Sequence, residues 1–401
     1  MPWALRMTVM VFLLALPLYV YVGWRLVGSV SQVSVGYHHT IRYVMIAVGG
    51  WLCSYPLMIV VVSNHRGNGW VNAFVDGGGW QDWVFVYPFW FWAVFAIQTA
   101  PYLLASDVLG GVLSSMAVSF APIFRKYAPL IISVLVLLTL AIRMYVDTRR
   151  PRIRQRELRV AGLPEALEGF RIVHVSDVQA DPRTDDELLG RYVDLVNGLD
   201  ADLVLFTGDL VTRGTDHIER GAETLARMQT RYGTFACLGD HDIWSNPEEI
   251  QRRLGELGVR MGHNERMDVS IGEANVGLYV MTNAYSDRSG LRGLREGVGG
   301  DLAILLSHQP TPDVVDAADR VGYHLMASGH THGGQVTIQV FGWSLSASLF
   351  ETRFVSGFYE LGRLLLSVNN GLGLTLAPIR FLAPSEVTLI EVLGIEGSGS
   401  Q

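Results

Sequence analysis

Two patterns of hydrophobic and polar positions divide this chain. Up to about residue 147, apolar residues run on with little interruption; from about residue 160, they come in short runs separated by polar and glycine-containing turns. A bilayer core needs roughly 20 mostly apolar residues in a helix. Four stretches reach that length, residues 8–29, 42–62, 84–105 and 128–147, and the last carries the unbroken run LIISVLVLLTLAI. The third contains Pro88, Gln98 and Pro101, so it is expected to kink or end early. Residues 108–124, rich in Gly and Ser, either extend it or lie at an interface. Trp51, Trp70, Trp80, Trp83, Trp90 and Trp92 fall near span ends, as interfacial aromatics do. A cleaved leader at the first stretch is the weaker reading, because no small-residue cleavage site stands out and further apolar spans follow.

Beyond residue 160 the runs alternate in kind. Arg171–Val178, Asp202–Phe206, Tyr232–Leu238, Leu302–Leu306 and Tyr323–Ala327 read as buried strands, and Asp185–Leu199 and Asn246–Leu257 as helices, the second with Pro247 at a helix-start position. Gln335–Val340, Leu364–Val368 and Glu386–Val392 look more purely β. This alternation predicts an α/β sheet with helices on its faces.

Charge sharpens the division. Residues 1–127 hold only Arg6, Arg25, Arg42, Arg66, Asp76, Asp82, Asp107, Arg125 and Lys126, whereas the chain as a whole has 31 Lys and Arg and 38 Asp and Glu. The expected domains are therefore a transmembrane region at 1–147, a basic linker at 148–163, a soluble domain at 164–393 and a flexible tail at 394–401. The arginines of the linker (Arg149, Arg150, Arg152, Arg154, Arg156 and Arg159), with Arg143, Arg6 and Arg66, outnumber Arg25, Arg42, Arg125 and Lys126 on the other side of four spans. By the positive-inside rule the soluble domain of this multi-pass membrane protein faces the cytoplasm. The same arginines also suit contact with anionic headgroups. A net charge of −7 argues against nucleic acid as a partner. Cys53 and Cys237 lie far apart and form neither a disulfide framework nor a zinc spacing.

Five segments carry candidate chemistry: Ser176-Asp177-Val178-Gln179, Thr207-Gly208-Asp209, Gly239-Asp240-His241-Asp242, Ser307-His308-Gln309-Pro310 and Ser328-Gly329-His330-Thr331-His332-Gly333-Gly334. Asp177, Asp209, Asp240, His308 and His330 all sit just past predicted strand ends, where ligands bind in open α/β sheets. Any one strand-end aspartate commonly caps a helix, and a lone His308 is more often structural. The five together, with an exposed His-x-His flanked by glycines, are hard to read as capping. Carboxylates and imidazoles in such numbers hold divalent metals while leaving positions open for water and substrate.

On these segments the chain resembles the calcineurin-like metallophosphoesterases, in particular those with N-terminal transmembrane helices. The resemblance covers about residues 150–393 and includes Asn369-Asn370-Gly371-Leu372-Gly373 and Pro378-Ile379-Arg380-Phe381. It implies a four-layer αββα sandwich and two divalent metal ions. The first would be held at Asp177, Gln179, Asp209 and His332, the second at Asp209, Asp240, His308 and His330. His241 would contact the phosphate or protonate the leaving group, and Asp242 would orient it. The implied activity is hydrolysis of a phosphoester or pyrophosphate bond by a metal-activated water. The anchor favours a lipid-linked substrate and membrane lipids as partners. The alternative is a catalytically weakened metal-binding scaffold or sensor.

Two positions depart from the family pattern. Gln179 stands where His is usual, and Asp240 where Asn is usual. Both changes shift the sites toward oxygen ligation, which favours manganese, with magnesium, iron and zinc as the other candidates. Phe341, Trp343, Leu345, Leu349, Phe350 and Phe354 are either an apolar lip for acyl chains or ordinary core residues.

Overall fold

The computed structural model describes residues 3–33, 36–66, 77–282 and 289–395. It divides into two compact units. One comprises Met1–Val146 with Ile338–Leu345 and Leu376–Leu382; the other comprises Asp147–Thr337, Ser346–Thr375 and Ala383–Gln401.

The first unit is built on helices α1 (Trp3–Val33), α2 (His38–Leu52), α3 (Ser54–Arg66), α4 (Tyr87–Ser115) and α5 (Ala121–Arg149). A π-helical turn at Asp82–Val86 leads directly into α4. Pro101 is accommodated within α4, so residues 108–115 extend that helix to Ser115 rather than forming a separate element. α1, α5 and the Asp82–Ser115 helix are long and apolar enough to cross a membrane, and α2 with α3, bent by 45°, make a fourth span if counted as one. Phe12 meets Phe89, Tyr19 meets Trp92, and Arg25 pairs with Asp107, so α1 and α4 run parallel. The chain between them therefore reverses direction, and the bent pair lies in that return. Trp70 lies outside the described residues.

The second unit contains two six-stranded sheets. One has the order β1 (Arg152–Ala161), β14 (Glu386–Ile395), β2 (Phe170–Val175), β3 (Leu203–Phe206), β4 (Thr234–Ala236) and β5 (Arg260–Met261). The other has β12 (Gly357–Leu361), β13 (Leu364–Val368), β9 (Leu325–Ser328), β8 (Leu302–Ser307), β7 (Ala274–Met281) and β6 (Glu265–Ile271). Strand alternation builds the layers, because successive side chains point to opposite faces. Leu203 and Leu205 join Leu302, Ile304 and Leu306 in a core between the sheets. Val204 and Phe206 face Leu188, Tyr192 and Ile250 of covering helices, while Ala303 and Leu305 face Val314, Ala318 and Leu294 on the other side. Both sheets are thus buried on both faces, which explains their near-continuous apolar runs. The result is a helix–sheet–sheet–helix sandwich preceded by helices long and apolar enough to cross a membrane.

Two boundary expectations are corrected. Residues 148–163 are not a linker. Arg152–Ala161 form β1, paired in parallel with β14 from Arg152↔Glu386 to Ala161↔Ile395. Leu158 and Val160 supply the buried face of this strand. Its arginines pair with carboxylates: Arg152 with Asp147, Arg154 with Glu386, Arg156 with Glu360. A charged strand at a sheet edge also resists further pairing. At the other end, Gly394 and Ile395 complete β14 and are not tail; residues 396–401 lie outside the described residues. Phe354, a candidate lip residue, is core at 2% exposure, whereas Phe341, Trp343, Leu345, Leu349 and Phe350 are exposed.

Candidate metal centre

Every candidate ligand follows a strand of the sandwich. Asp177 and Gln179 follow β2, Asp209 follows β3, Asp240 follows β4, His308 follows β8, and His330 and His332 follow β9. They converge as two clusters. In one, Asp177, Asp209 and His332 place ligand atoms within 4.8 Å of one another; in the other, Asp240, His308 and His330 do the same. Asp209 faces both, since its Oδ2 also lies 3.4 Å from His308 Nε2.

The backbone is strained at this point. Asp177, Gln179, Asp209, His330 and His332 all have positive φ, between 48° and 68°. For residues with a side chain this region costs about 1–3 kcal/mol each and persists only where surroundings enforce it. The enforcing contacts are short-range. Asp177 N–H donates to Gly208 O (2.9 Å) and Gln179 N–H to Asp209 O (3.0 Å). His330 N–H donates to Asp177 Oδ2 (3.1 Å) and His241 N–H to Asp209 Oδ1 (3.0 Å). Glycine is required beside two ligands. A Cβ on Gly239 would lie 2.0 Å from Asp209 Oδ1, and one on Gly329 would lie 2.3 Å from Asp177 Oδ2.

Asp242 has a different task from the one expected. Its Oδ2 accepts from Asp209 N–H (2.8 Å) and Gly239 N–H (3.0 Å), and its Oδ1 from Leu210 N–H (2.8 Å). It therefore ties the Asp209 loop to the Gly239 loop and does not orient His241. His241 is oriented instead by the Thr212 carbonyl, 2.6 Å from Nδ1. A carbonyl can only accept, so Nδ1 carries a proton, and Nε2 points toward Thr375 Oγ1, 3.5 Å away. His308 is held the same way, with Nδ1 donating to Thr207 O (2.6 Å) and Nε2 directed at Asp240 Oδ1 (3.0 Å).

The donor set fits divalent cations. Asp177 Oδ1 and Gln179 Oε1 are buried without a hydrogen-bond partner. Asp177 Oδ1 and His332 Nε2 lie 3.3 Å apart, as ligands aimed at a common point would. Gln179 turns its Nε2 to Asp209 Oδ2 (2.8 Å), leaving its oxygen free on the ligand side. The electrostatics agree. Burial disfavours charge on His308, yet Asp209 and Asp240 hold its pKa well above the usual imidazole value. His330 is likewise opposed by burial but held at about 9 by Asp240 and Glu351. Burial pushes Asp177 up to about 6, against the pull of His308. Burial also opposes charge on Asp240, but hydrogen bonds from His308 and His330 keep its carboxyl well below the ordinary range. The cluster thus favours positive charge at its centre.

Two features escaped the sequence analysis. Glu351 lies 3.2 Å from His330 Nε2. A buried chain also runs from Ser367 to His174 (3.1 Å), His174 to Thr207 (3.0 Å), Thr207 to Ser176 (2.7 Å) and Ser176 to Asp177 Oδ2 (2.5 Å). It occupies one oxygen of Asp177 and turns the other toward the cluster. The available signal was His174 itself, a polar residue inside the apolar run RIVHV.

The sandwich and its paired clusters define a metallophosphoesterase-like domain. Residues 170–334 match the calcineurin-like phosphoesterases. A "transmembrane protein with metallophosphoesterase domain" from Danio rerio is 29% identical over 65% of this chain and 62% of its own length. An uncharacterized metallophosphoesterase of Campylobacter jejuni is 28% identical over 58% of this chain and 61% of its own. One from Bacillus subtilis is 24% identical over 61% of this chain and 86% of its own. The chain thus spans about three-fifths of the length of the first two relatives.

Proposed function

We propose that this protein is a membrane-anchored, divalent-metal-dependent phosphoester hydrolase acting on a phosphoester or pyrophosphate of a lipid-linked substrate. The observation that carries the reading is the pair of buried ligand clusters sharing Asp209. Asp177, Gln179, Asp209 and His332 would hold one ion, and Asp209, Asp240, His308 and His330 the other. Such ions supply Lewis-acid charge to a phosphoryl group and lower the pKa of bound water. The chain's own residues position and protonate. His241, fixed through Nδ1 by Thr212, offers Nε2 to the phosphate or, once protonated there, a proton to the leaving oxygen. Asp242 holds the Asp209 and Gly239 loops in register. Asp177, Gln179, Asp209 and Asp240 contribute oxygen, against three imidazoles, which favours manganese over zinc.

The test is metal content and hydrolysis of a generic aryl phosphodiester by the detergent-solubilised full chain. Asp209→Asn is expected to abolish turnover with the fold retained. Near-normal kcat in that variant would sink the two-ion reading, and metal binding without hydrolysis in the wild type would favour a scaffold or sensor. The arginine excess supports a cytoplasmic soluble unit; a C-terminal reporter active only on the exported side would refute that reading.

A further inference from the structure

The hairpin Ile338–Leu345 interrupts the soluble unit's sequence but belongs to the helical unit. Its strands, β10 (Ile338–Val340) and β11 (Trp343–Leu345), are joined at Phe341 and Gly342, both of positive φ (47° and 90°), the requirement of a tight type I′ turn. The pairing Ile338↔Leu345, Gln339↔Ser344, Val340↔Trp343 puts Ile338, Val340, Trp343 and Leu345 on one face and Gln339 and Ser344 on the other.

This hairpin is gripped by α4. Gln98 Oε1 accepts from Gln339 N–H (3.1 Å), and Gln98 Nε2 donates to Gln339 O (2.6 Å). Tyr102 O–H donates to the same carbonyl (2.9 Å), and its ring meets Phe341 edge-on at 5.3 Å. One side-chain amide therefore replaces a neighbouring strand and satisfies both backbone groups of Gln339. In water that is a small gain. In hydrocarbon an unsatisfied backbone group costs several kcal/mol, so there such a clamp is a condition for the hairpin to exist.

The position of Gln98 sets the depth. Asp82–Ser115 is one continuous helical stretch of 34 residues, about 51 Å at 1.5 Å per residue. Gln98 sits near its middle, about 25 Å from either end. Any window of about 30 Å along that stretch, the thickness of a bilayer core, contains Gln98. Tilt only lengthens the window. Phe341, Trp343 and Leu345 are 64%, 75% and 53% exposed, so the apolar side chains of the hairpin face outward.

We infer that the hairpin Ile338–Leu345 is a membrane-embedded finger, clamped at Gln339 by Gln98 and Tyr102, whose Phe341, Trp343 and Leu345 contact the acyl chains of a lipid phosphoester. The substrate part of this inference rests on the hydrolase reading above. The finger is a continuation of the ligand loop, since Ile338 follows His332 by six positions. Six residues reach at most about 20 Å, so covalent connectivity alone bounds the distance between the finger and that loop.

The experiment uses the full chain in lipid nanodiscs, with Cys53→Ser to remove the reactive thiol; Cys237 is buried. A nitroxide is attached at Phe341→Cys or Trp343→Cys, and collision with oxygen is compared with collision with a water-soluble nickel chelate. Expected is the oxygen-rich, nickel-poor signature of a control on the outer face of α5, Leu135→Cys. Nickel access as high as at Trp244→Cys, on the soluble unit, overturns the inference. In a second arm, Trp343→Ser is expected to lower kcat/KM for a diacyl phosphoester about tenfold while leaving a soluble aryl phosphodiester unchanged. Equal effects on both substrates overturn the acyl contact. If the wild type hydrolyses neither substrate, the hydrolase reading and the substrate assignment fall together, and the nitroxide signature still decides whether the finger is embedded.

Discussion

Asp240 offers the sharpest test of how the second cluster works. Its Oδ1 sits 3.0 Å from both His308 Nε2 and His330 Nδ1. That single oxygen is the largest influence raising His330 to about 9 against burial. At pH 8 such an imidazole is about nine-tenths protonated, and a metal must displace that proton to bind. Asp240→Asn removes the charge and keeps the shape. Without that charge beside it, His330 is expected to titrate lower and to carry less charge at pH 8. Manganese binding should then release fewer protons from His330 than in the wild type, and fewer still if His308 falls with it. Calorimetric titration of metal-stripped protein in buffers of different ionisation enthalpy reads this number directly. The variant should also bind manganese at least about tenfold more weakly, having lost a formal charge. The sign for stability is set by the same shift. Because folding raises the pKa of His330, its contribution is full below about 6.5 and is lost as pH rises through about 9. Metal-stripped wild type should therefore lose up to roughly 3 kcal/mol over that window, and the variant much less. Equal proton release from the two proteins would refute the assignment of Asp240 to this cluster.

Two further outcomes are expected. Gln179→His replaces a free amide oxygen with an imidazole, so it should tighten the first site and shift preference toward zinc or iron; parallel manganese and zinc titrations with an unchanged ratio would remove Gln179 from the ligand set. His174 is buried and its pKa is lowered to about 3 by burial, so the unfolded chain takes up the proton first as pH falls below about 6.5, and stability is lost from there downward. From pH 7 to 5 this amounts to about 2 kcal/mol, and His174→Gln should flatten the thermal-unfolding profile over that range; an unchanged slope would show that His174 is not the group responsible.

Much of this protein is legible one residue after another. The candidate spans are a matter of length and apolarity, so each expected stretch falls on a long apolar helix or on the bent pair, and the strand–helix alternation of the soluble half followed from period alone. The candidate ligands were legible because imidazoles and carboxylates beside glycine at strand ends have few other uses. The errors share a cause. Arg152–Ala161 reads as a linker because its arginines outnumber its apolar residues, and only β14 alongside shows that Leu158 and Val160 are enough to anchor a strand. Asp242 was assigned to its sequence neighbour His241, but a carboxylate bonds whatever amides the fold delivers, here those of residues 209, 210 and 239.

The sequence by itself determined which segments are long and apolar enough to cross a membrane, which alternate as strand and helix, and which side chains can bind a metal, because those properties depend on side-chain chemistry and local period. Tertiary structure alone decided partners. It set the parallel run of α1 and α4, the grip of Gln98 on Gln339, and the chain from Ser367 through His174 to Asp177. The physical reason is directional. Hydrophobic burial is read from composition, whereas a hydrogen bond exists only when two distant backbones place its atoms within about 3 Å at the right angle.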